Sequence, residues 1–406
     1  MLPIRNPFHA LRHRNFRLFF IGQFISLAGT WMQVVAEGWL VLELTNSAFL
    51  VGLVATLESL PILLLTLYGG VVADRVDKRR ALLFLQSAML VQSLVLTLLT
   101  ATHHISVGWL MGLVTVLGSL AAFEVPIRQS FMMEMVGRED LVNAIALNSS
   151  IFNLSRIIGP VIAGGLLAGL GSAVCFGANT LSFLAVIVAF LRMRPPFAGS
   201  SGGVREEEPT FRQGVEYALR RREPRALLSL AATLGVFGLA AALAMLPVYA
   251  RNVLGLGPGG YGGLMAAVGI GAGAGAITMA ALGHRLDRRR LIGTMTLLFS
   301  VSLAASTLHS SFALAAGGLA SAGFGSVLAA ISTNTLLQVD APDHLRGRVM
   351  GFYSFVVLGL APLGSLQAGW VSEHFGVRVS FLVGAAICAV AALLFELRSS
   401  GRPAAG

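Results

Sequence analysis

Long apolar stretches, separated by short charged or glycine-rich breaks, run along the whole chain. A helix that crosses a membrane needs about 20 mostly apolar residues, and twelve stretches reach that length. Each predicts a helix, because an open strand cannot satisfy its backbone hydrogen bonds in lipid. The predicted spans are 16–43, 48–72, 80–102, 106–128, 141–169, 172–192, 225–251, 259–283, 289–308, 311–336, 345–373 and 377–397.

A single long hydrophilic segment interrupts this pattern near the middle of the chain. Its Pro195-Pro196 pair and the charged run 205–208 are typical of a linker, and Phe211 to Arg222 predicts a short surface helix. The predicted organisation is a six-helix bundle at 1–193, a cytoplasmic linker at 194–224 and a second six-helix bundle at 225–406.

Two loops, Gly70 to Arg80 and Ala280 to Arg290, share one charge pattern. In both, an acidic residue follows an arginine by two positions, and three consecutive basic residues come next. Because the loops occupy corresponding places in the two halves, the sequence predicts an all-α membrane protein built from two six-helix pseudo-repeats. Parallel repeats of six spans are a known transporter plan, with the substrate site near the membrane midplane.

Composition and charge agree with a lipid environment. Only 12% of the residues are charged and 55% are hydrophobic, with mean hydropathy +0.78, whereas a soluble domain has about 25% charged residues. The net charge of +10 is spread over segments between spans on one side, and only Arg251 and Arg378 lie on the other. The positive-inside rule therefore places both termini in the cytoplasm, and we expect no nucleic-acid partner.

The loop that begins at Gly70 carries a family pattern. Gly70, Asp74 and Arg75 match the form Gly-x-x-x-Asp-Arg-x-Gly-Arg-Arg, with Asp77 in place of the second glycine. In this loop the chain resembles the major facilitator superfamily. The resemblance implies the twelve-helix fold of that superfamily and a cytoplasmic latch, which holds the two halves together in the outward-facing state. The implied latch residues are Gly70, Asp74, Arg75, Lys78 and Arg79.

Three further motifs narrow the resemblance: Trp31-Met32-Gln33, Arg156-Ile157-Ile158-Gly159-Pro160 and Arg346-Gly347-Arg348. They are similar to a branch that includes enterobactin exporters and macrolide-type efflux proteins. This branch implies an exporter of the bacterial inner membrane, driven by the proton gradient. An antiporter signature of the form Gly-Pro-x-x-Gly-Gly is matched by Gly159, Pro160, Gly164 and Gly165, with Ala163 at the first paired glycine.

Three carboxyl groups, those of Glu37, Glu58 and Glu124, lie inside predicted spans. An ionisable group in the membrane costs at least about 2.5–3.5 kcal/mol and marks a functional site by default. Desolvation favours the protonated carboxyl, so all three are candidates for proton coupling. The alternative is a structural pair, above all for Glu124, because Arg128 follows it at a helical pairing distance.

Span one carries a polar stripe that ends at Glu37. Such a stripe predicts the wall of a water-filled cavity, and the alternative is hydrogen bonding between helices. In span five, Arg156 needs a carboxylate or carbonyl partner, for which Glu124 is a candidate, or an anionic substrate. The predicted cavity-lining residues are Gln23, Ser26, Thr30, Gln33, Asn153 and Arg156.

No set of residues converges on a catalytic motif, so we expect no enzyme, no cofactor and no metal. The predicted function is secondary active export of an amphipathic small molecule, a drug or a siderophore, by alternating access and proton antiport. The alternatives are a facilitator or importer of a small metabolite, and a membrane sensor or scaffold that does not transport. The expected partners are the small molecule, protons and the lipid bilayer, and the expected state is a monomer.

Overall fold

The computed structural model describes residues 8–194, 211–283, 285–342 and 344–399, and every regular element in these ranges is a helix. The linker residues 195–210 and His284 therefore lie outside the described residues. The helices are α1 (Arg14–Thr45), α2 (Ala48–Ala73), α3 (Lys78–Ala101), α4 (Val107–Leu170), α5 (Ser172–Arg192), α6 (Phe211–Arg220), α7 (Arg222–Phe237), α8 (Leu239–Asn252), α9 (Pro258–Leu282), α10 (Arg288–Ser306), α11 (Phe312–Asp340), α12 (Arg346–Gly359), α13 (Ala361–Phe375) and α14 (Val377–Ser399), preceded by a short 3-10 helix at His9–Arg12.

Helix α4 contains two predicted spans, which meet at Gly137. The backbone of Gly137 has φ 74° and ψ 175°, a conformation that glycine adopts at little steric cost. The two arms are Val107–Gly137 and Glu139–Leu170. The predicted end of the first arm at residue 128 is wrong, because Phe131 and Met135 continue its apolar face into a buried core.

Two other predicted spans are each divided into consecutive helices. The span 225–251 breaks between α7 and α8 at Gly238, where a Cβ would lie 2.3 Å from the carbonyl oxygen of Leu234. The span 345–373 breaks between α12 and α13, and Pro362 lies at the start of α13, a position where its missing N–H costs nothing. Each pair together still has the length and apolarity of one membrane span.

Eleven spans in the described part of the chain are long and apolar enough to cross a membrane. The predicted span 289–308 corresponds to α10, which falls outside this set because its first turn consists of three arginines. Its remaining length is buried through Ile292, Phe299 and Leu303, and it packs along α11 and α14. Helix α10 is therefore an integral part of its bundle.

The chain forms two compact units. The first contains Met1–Leu44 and Leu57–Val204, and the second contains Thr45–Thr56 and Arg205–Gly406. Helix α2 thus begins in the second unit and ends in the first. The predicted domain boundaries at 193 and 225 stay a prediction.

The segment Thr45–Thr56 is held in the second unit by contacts with α13. A Glu373 carboxylate oxygen accepts hydrogen bonds from the Ser47 hydroxyl at 3.1 Å and from the Phe49 N–H at 3.0 Å. It thereby caps the positive end of α2. One turn further, a Cβ on Gly52 would lie 2.9 Å from the Cα of Gly369, so only glycine permits this approach of the two backbones.

The predicted surface helix in the linker is confirmed as α6, and one of its faces packs against the second unit. Ala218 is fully buried, and the Tyr217 hydroxyl donates to the carbonyl oxygen of Asp340 at 2.8 Å. A Cβ on Gly214 would lie 2.5 Å from the Cβ of Arg348. Helix α6 therefore belongs to the second unit.

Candidate functional site

A buried network of polar side chains joins three helices of the first unit around Gln33. The Gln33 side-chain oxygen accepts hydrogen bonds from the Ser93 hydroxyl of α3 at 3.0 Å and from the Asn179 amide of α5 at 2.5 Å. The Gln33 amide in turn donates to Glu37 at 2.9 Å. Because both ends of the Gln33 amide are engaged, its orientation and that of the Glu37 carboxyl are fixed.

The network continues into α5. The Thr180 hydroxyl donates to Ser93 at 3.0 Å, and the Ser182 hydroxyl donates to the side-chain oxygen of Asn179 at 2.9 Å. A Cβ on Gly29 would lie 2.2 Å from the Ser182 hydroxyl oxygen, so α1 and α5 are in close contact here. Ser93, Asn179 and Thr180 were not predicted from the sequence. Their only signal is a small polar residue within an apolar run.

The polar stripe on α1 has two kinds of environment. Gln23, Ser26 and Gln33 are buried, whereas Thr30 is half-buried and donates to the carbonyl oxygen of Ser26 at 3.0 Å. For Gln33 the structure therefore shows the alternative, hydrogen bonding between helices. The cavity-lining role of these four residues stays a prediction.

Glu37 and Glu58 form a pair of carboxyls inside the first unit. Glu37 on α1 is 2% exposed, and Glu58 on α2 is half-buried. The two groups are close enough to interact electrostatically. In the described residues neither forms an ion pair, and the one hydrogen bond to Glu37 comes from Gln33. A second negative charge here would be unfavourable, because two like charges would share a poorly hydrated region.

Glu124 has a different environment from the other two carboxyls. It accepts a hydrogen bond from the Nε of Arg128 at 2.8 Å and a longer one from the Gln86 amide at 3.3 Å. The local pair with Arg128 is the alternative that the sequence left open. Glu124 therefore has its own cation, and the suggested pair between Glu124 and Arg156 is not formed. A proton-coupling role for Glu124 stays a prediction, with less support than for Glu37 and Glu58.

Arg156 lies midway along the arm Glu139–Leu170, with its guanidinium over the ring of Trp31. The carbon of the guanidinium is 5.7 Å from the ring centroid, and no described carboxylate is within ion-pair distance. A desolvated cation–π contact stabilises by about 2 kcal/mol or more. A charged arginine at the centre of a membrane helix costs at least about 2.5–3.5 kcal/mol, so the contact with Trp31 offsets a part of that cost.

The antiporter-like motif sets the distance between Arg156 and Trp31. A Cβ on Gly159 would lie 2.6 Å from the Cβ of Trp31 and 2.7 Å from the carbonyl oxygen of Ala28. Gly159 therefore lets the second arm of α4 approach α1 closely, as small residues do in membrane helices. Pro160 and Gly164 are buried, and Gly165 is exposed. The motif's role in antiport stays a prediction.

In the loop between α2 and α3, part of the implied latch has partners within the first unit. Lys78 forms an ion pair with Glu134 at 2.6 Å, and Arg79 donates to the carbonyl oxygens of Phe190 at 2.8 Å and Leu191 at 3.1 Å. These carbonyls lie at the end of α5, where a cation complements the helix dipole. Lys78 and Arg79 thus bind the loop to its own bundle.

The other three implied latch residues have free space around their side-chain positions. Asp74 and Arg75 are exposed, a Cβ on Gly70 would meet nothing within 4 Å, and Asp74 makes no ion pair with any described residue. The latch role therefore stays a prediction. Asp77, which replaces the family glycine, caps α3 by accepting from the Arg80 N–H at 2.9 Å. Asp287 does the same for Arg289 at the start of α10, at 3.0 Å.

Asp140 is the centre of a group of contacts that was not predicted from the sequence, here called the Asp140 cluster. The Asp140 carboxylate is 3% exposed. It contacts His9 at 2.8 Å, Arg12 at 3.1 Å and His13 at 2.7 Å. Asn143, one turn later, accepts from the Ala10 N–H at 2.8 Å. Together these contacts fix the segment before α1 against the second arm of α4.

These features define the class of protein. Both units are helical in the described residues and expose many apolar side chains. The first unit contains a buried polar network, two carboxyls without a described cation and an arginine without an acid, which is how membrane transporters place their functional groups. The profile of the transmembrane secretion effector family matches residues 5–402. The chain belongs to this family, within the major facilitator superfamily, whose members are transporters and not enzymes.

Individual proteins agree with this assignment. The chain is 29% identical to the multidrug efflux pump Tap of Mycolicibacterium fortuitum, covering 87% of this chain and 88% of that protein. It is 28% identical to the enterobactin exporter EntS of Shigella flexneri, covering 88% and 86%.

A solved structure shows the same fold. The crystal structure of a bacterial homologue of the human lysosomal transporter Spinster has a TM-score of 0.79 at 15% identity, over 96% of this chain and 97% of that one. The predicted superfamily and its twelve-helix fold are therefore confirmed. The protein is a multi-pass membrane transporter with a small-molecule substrate.

Proposed function

We propose that this protein exports an amphipathic small molecule, a drug or a siderophore, in exchange for protons. It works as a monomer in the bacterial inner membrane, with both termini in the cytoplasm. Export is supported by relatives that are named a multidrug efflux pump and an enterobactin exporter. The cytoplasmic termini are supported by the one-sided distribution of arginine.

The observation that carries proton antiport is the pair Glu37 and Glu58. Two carboxyls that interact with each other and have no described cationic partner are more stable when one of them holds a proton. Glu37 is buried, whereas Glu58 is half-buried, so the two carboxyls have different surroundings. If the proton is transferred when the transporter changes between its two conformational states, proton movement is coupled to cargo movement.

The fixed orientation of Glu37 supports the same assignment. Gln33 donates to the Glu37 carboxyl and is itself held by Ser93 and Asn179. An amide donor can stabilise a carboxylate without supplying a charge, so Glu37 can gain or lose a proton without losing its neighbour. Glu124, in contrast, faces the permanent charge of Arg128.

The test is transport by purified protein in liposomes, first with a substrate panel and then with the best substrate. We expect Glu37→Gln to bind cargo and to exchange it down a cargo gradient, but to lose uphill transport driven by a pH gradient. Glutamine keeps the size and the acceptor oxygen but cannot titrate. The matched control is Glu43→Gln, because Glu43 is exposed on the same helix and accepts from the Trp39 indole N–H at 2.6 Å.

Full pH-driven uphill transport by Glu37→Gln would move the assignment to Glu58, which is tested by the same substitution. If the glutamine variants of Glu37, Glu58 and Glu124 all retain uphill transport, proton coupling through these carboxyls is wrong. A facilitator, or a transporter driven by another ion, would then be the better account.

A further inference from the structure

The proton pathway proposed above leaves Arg156 without a task. Glu37 and Glu58 lack a cation, yet Arg156 is not placed against either of them, and Glu124 is taken by Arg128. The one described contact of the guanidinium is the ring of Trp31. A permanent positive charge inside the membrane span is thus held ready for a negative group that is not part of the described protein.

The chemistry of the guanidinium narrows what that group can be. Arginine presents five N–H donors in a planar fork that matches a carboxylate or a similar planar anion, and it accepts nothing. The guanidinium carbon lies 5.7 Å from the centroid of the Trp31 ring, and its N–H groups form no hydrogen bond or ion pair within the described residues. An anion that reaches these donors can form two parallel hydrogen bonds while the contact with Trp31 is kept.

An aromatic surface lies next to the guanidinium of Arg156. Phe152 is one turn before Arg156 on the same helix face. Phe152 as a residue is 44% exposed, and its ring meets Trp31 edge to face with the centroids 6.0 Å apart. A ring on the cargo can therefore contact Phe152 while the cargo's anionic group reaches Arg156.

The helix backbones that carry Arg156, Trp31 and Phe152 are close-packed. Gly159, one turn after Arg156, brings the second arm of α4 against the Cβ of Trp31. The arginine and the two rings are thereby positioned before any ligand arrives, which reduces the entropy lost on binding.

We infer that Arg156, Trp31 and Phe152 form a subsite for an organic anion whose negative group lies beside an aromatic ring. The inference rests on the proposed export of an amphipathic molecule and narrows that molecule to anions, in preference to neutral or cationic amphipaths of the same shape.

The experiment measures equilibrium binding to the purified full chain in nanodiscs, by calorimetry and without a pH gradient. The probes are 1-naphthoate and its neutral analogue 1-naphthamide. We expect the wild type to bind the carboxylate at least about tenfold more tightly than the amide. We expect Arg156→Gln to bring the two affinities together, and Arg156→Lys, which keeps the charge but not the fork, to give an intermediate ratio.

Two further variants separate charge from packing. Phe152→Ala is expected to weaken both probes and to leave their ratio unchanged, because it removes only apolar contact. Arg194→Gln is the matched control, since it removes one arginine charge from an exposed side chain of the same unit and should leave both affinities unchanged. Thermal unfolding of each variant checks that it is folded. If Arg156→Gln does not fold, the comparison of Arg156→Lys with the wild type is the test.

Equal affinity of the wild type for the two probes, or binding of neither, would overturn the inference. So would a carboxylate preference that survives in both Arg156 variants, because the stack on Trp31 would then be purely structural. Glu37→Gln should keep the preference in this assay, whatever it does to uphill transport. The two proposals can therefore fail independently.

Discussion

The two units share one helical plan, and both bring helices together at glycines. In the first unit a Cβ on Gly159 would lie 2.6 Å from the Cβ of Trp31, and in the second a Cβ on Gly271 would lie 1.8 Å from the carbonyl oxygen of Ala320. The first unit also joins α1, α3 and α5 through the side chains of Gln33, Ser93 and Asn179. Side-chain hydrogen bonds fix the orientation of a group such as the Glu37 carboxyl, whereas a glycine contact only sets the distance between helices.

The proposed proton-coupling carboxyls thus lie in the unit with the buried polar network, and the close-packed helices α9 and α11 form a scaffold in the second unit. The glycine run of α9, at residues 269, 271, 273 and 275, belongs to that scaffold. A Cβ on Gly323 of α11 would lie 2.4 Å from the carbonyl oxygen of Val268 on α9, so the contact is tight from both sides.

The largest effect is expected from filling the glycine contact. Gly271→Leu should prevent correct folding or lower the free energy of unfolding by more than about 3 kcal/mol, because overpacking here meets backbone and not a flexible side chain. The measurement is unfolding in mixed detergent micelles, together with the yield of monodisperse protein. Gly317→Ala on α11 is the control, since a Cβ there meets nothing within 4 Å. Equal stability of the two variants would contradict the scaffold role.

A smaller effect is expected from breaking the polar network. Ser93→Ala removes the donor to Gln33 and the acceptor of Thr180, which should lower the free energy of unfolding by about 1–2 kcal/mol. The same unfolding assay measures it. Ser87→Ala, also on α3, should change stability by less than about 0.5 kcal/mol, because Ser87 is exposed and bonds only to Leu83 of its own helix. If Ser93→Ala is as mild as this control, the network does not hold the first unit together.

The smallest effect concerns the feature that the two units share. Asp77→Ala and Asp287→Ala each remove a helix cap, and each should lower the free energy of unfolding by about 1 kcal/mol. Asparagine at either position should restore most of the loss, because it caps nearly as well as aspartate. A cost confined to one of the two loops would show that the repeats differ at their charged loops as well as in their cores.

The sequence predicted the spans well because lipid demands long apolar helices. The prediction that the span 106–128 ends at residue 128 was wrong. It took the charged residues near this point as the water-exposed end of the helix, but these residues are paired. Arg128 is paired with Glu124, and Glu134 with Lys78, so the helix continues to Gly137 beyond the point where charges begin. Pairing of this kind depends on neighbours that hydropathy alone does not identify.

Of the candidate site, the sequence predicted the ionisable residues of the spans but left the choice between their possible partners open. Intramembrane acids and Arg156 are visible because they are rare in such spans. Whether Glu124 would bind Arg128 or Arg156 depended on the facing of two helices, which a one-dimensional pattern leaves open. Ser93 and Asn179 were missed for a related reason: a serine or an asparagine in an apolar run has no distinguishing pattern until the third dimension places it beside Gln33.

The Asp140 cluster has a consequence for how the protein is made. His9, Arg12 and His13 precede Asp140 by 131, 128 and 127 residues, so at synthesis rates of about 5–20 residues per second their partner emerges roughly 6–26 s after them. The first segment of the chain must therefore wait at the membrane surface until four spans have been inserted. Its docking on Asp140 requires that the chain has been made past Gly137, where the second arm of α4 begins.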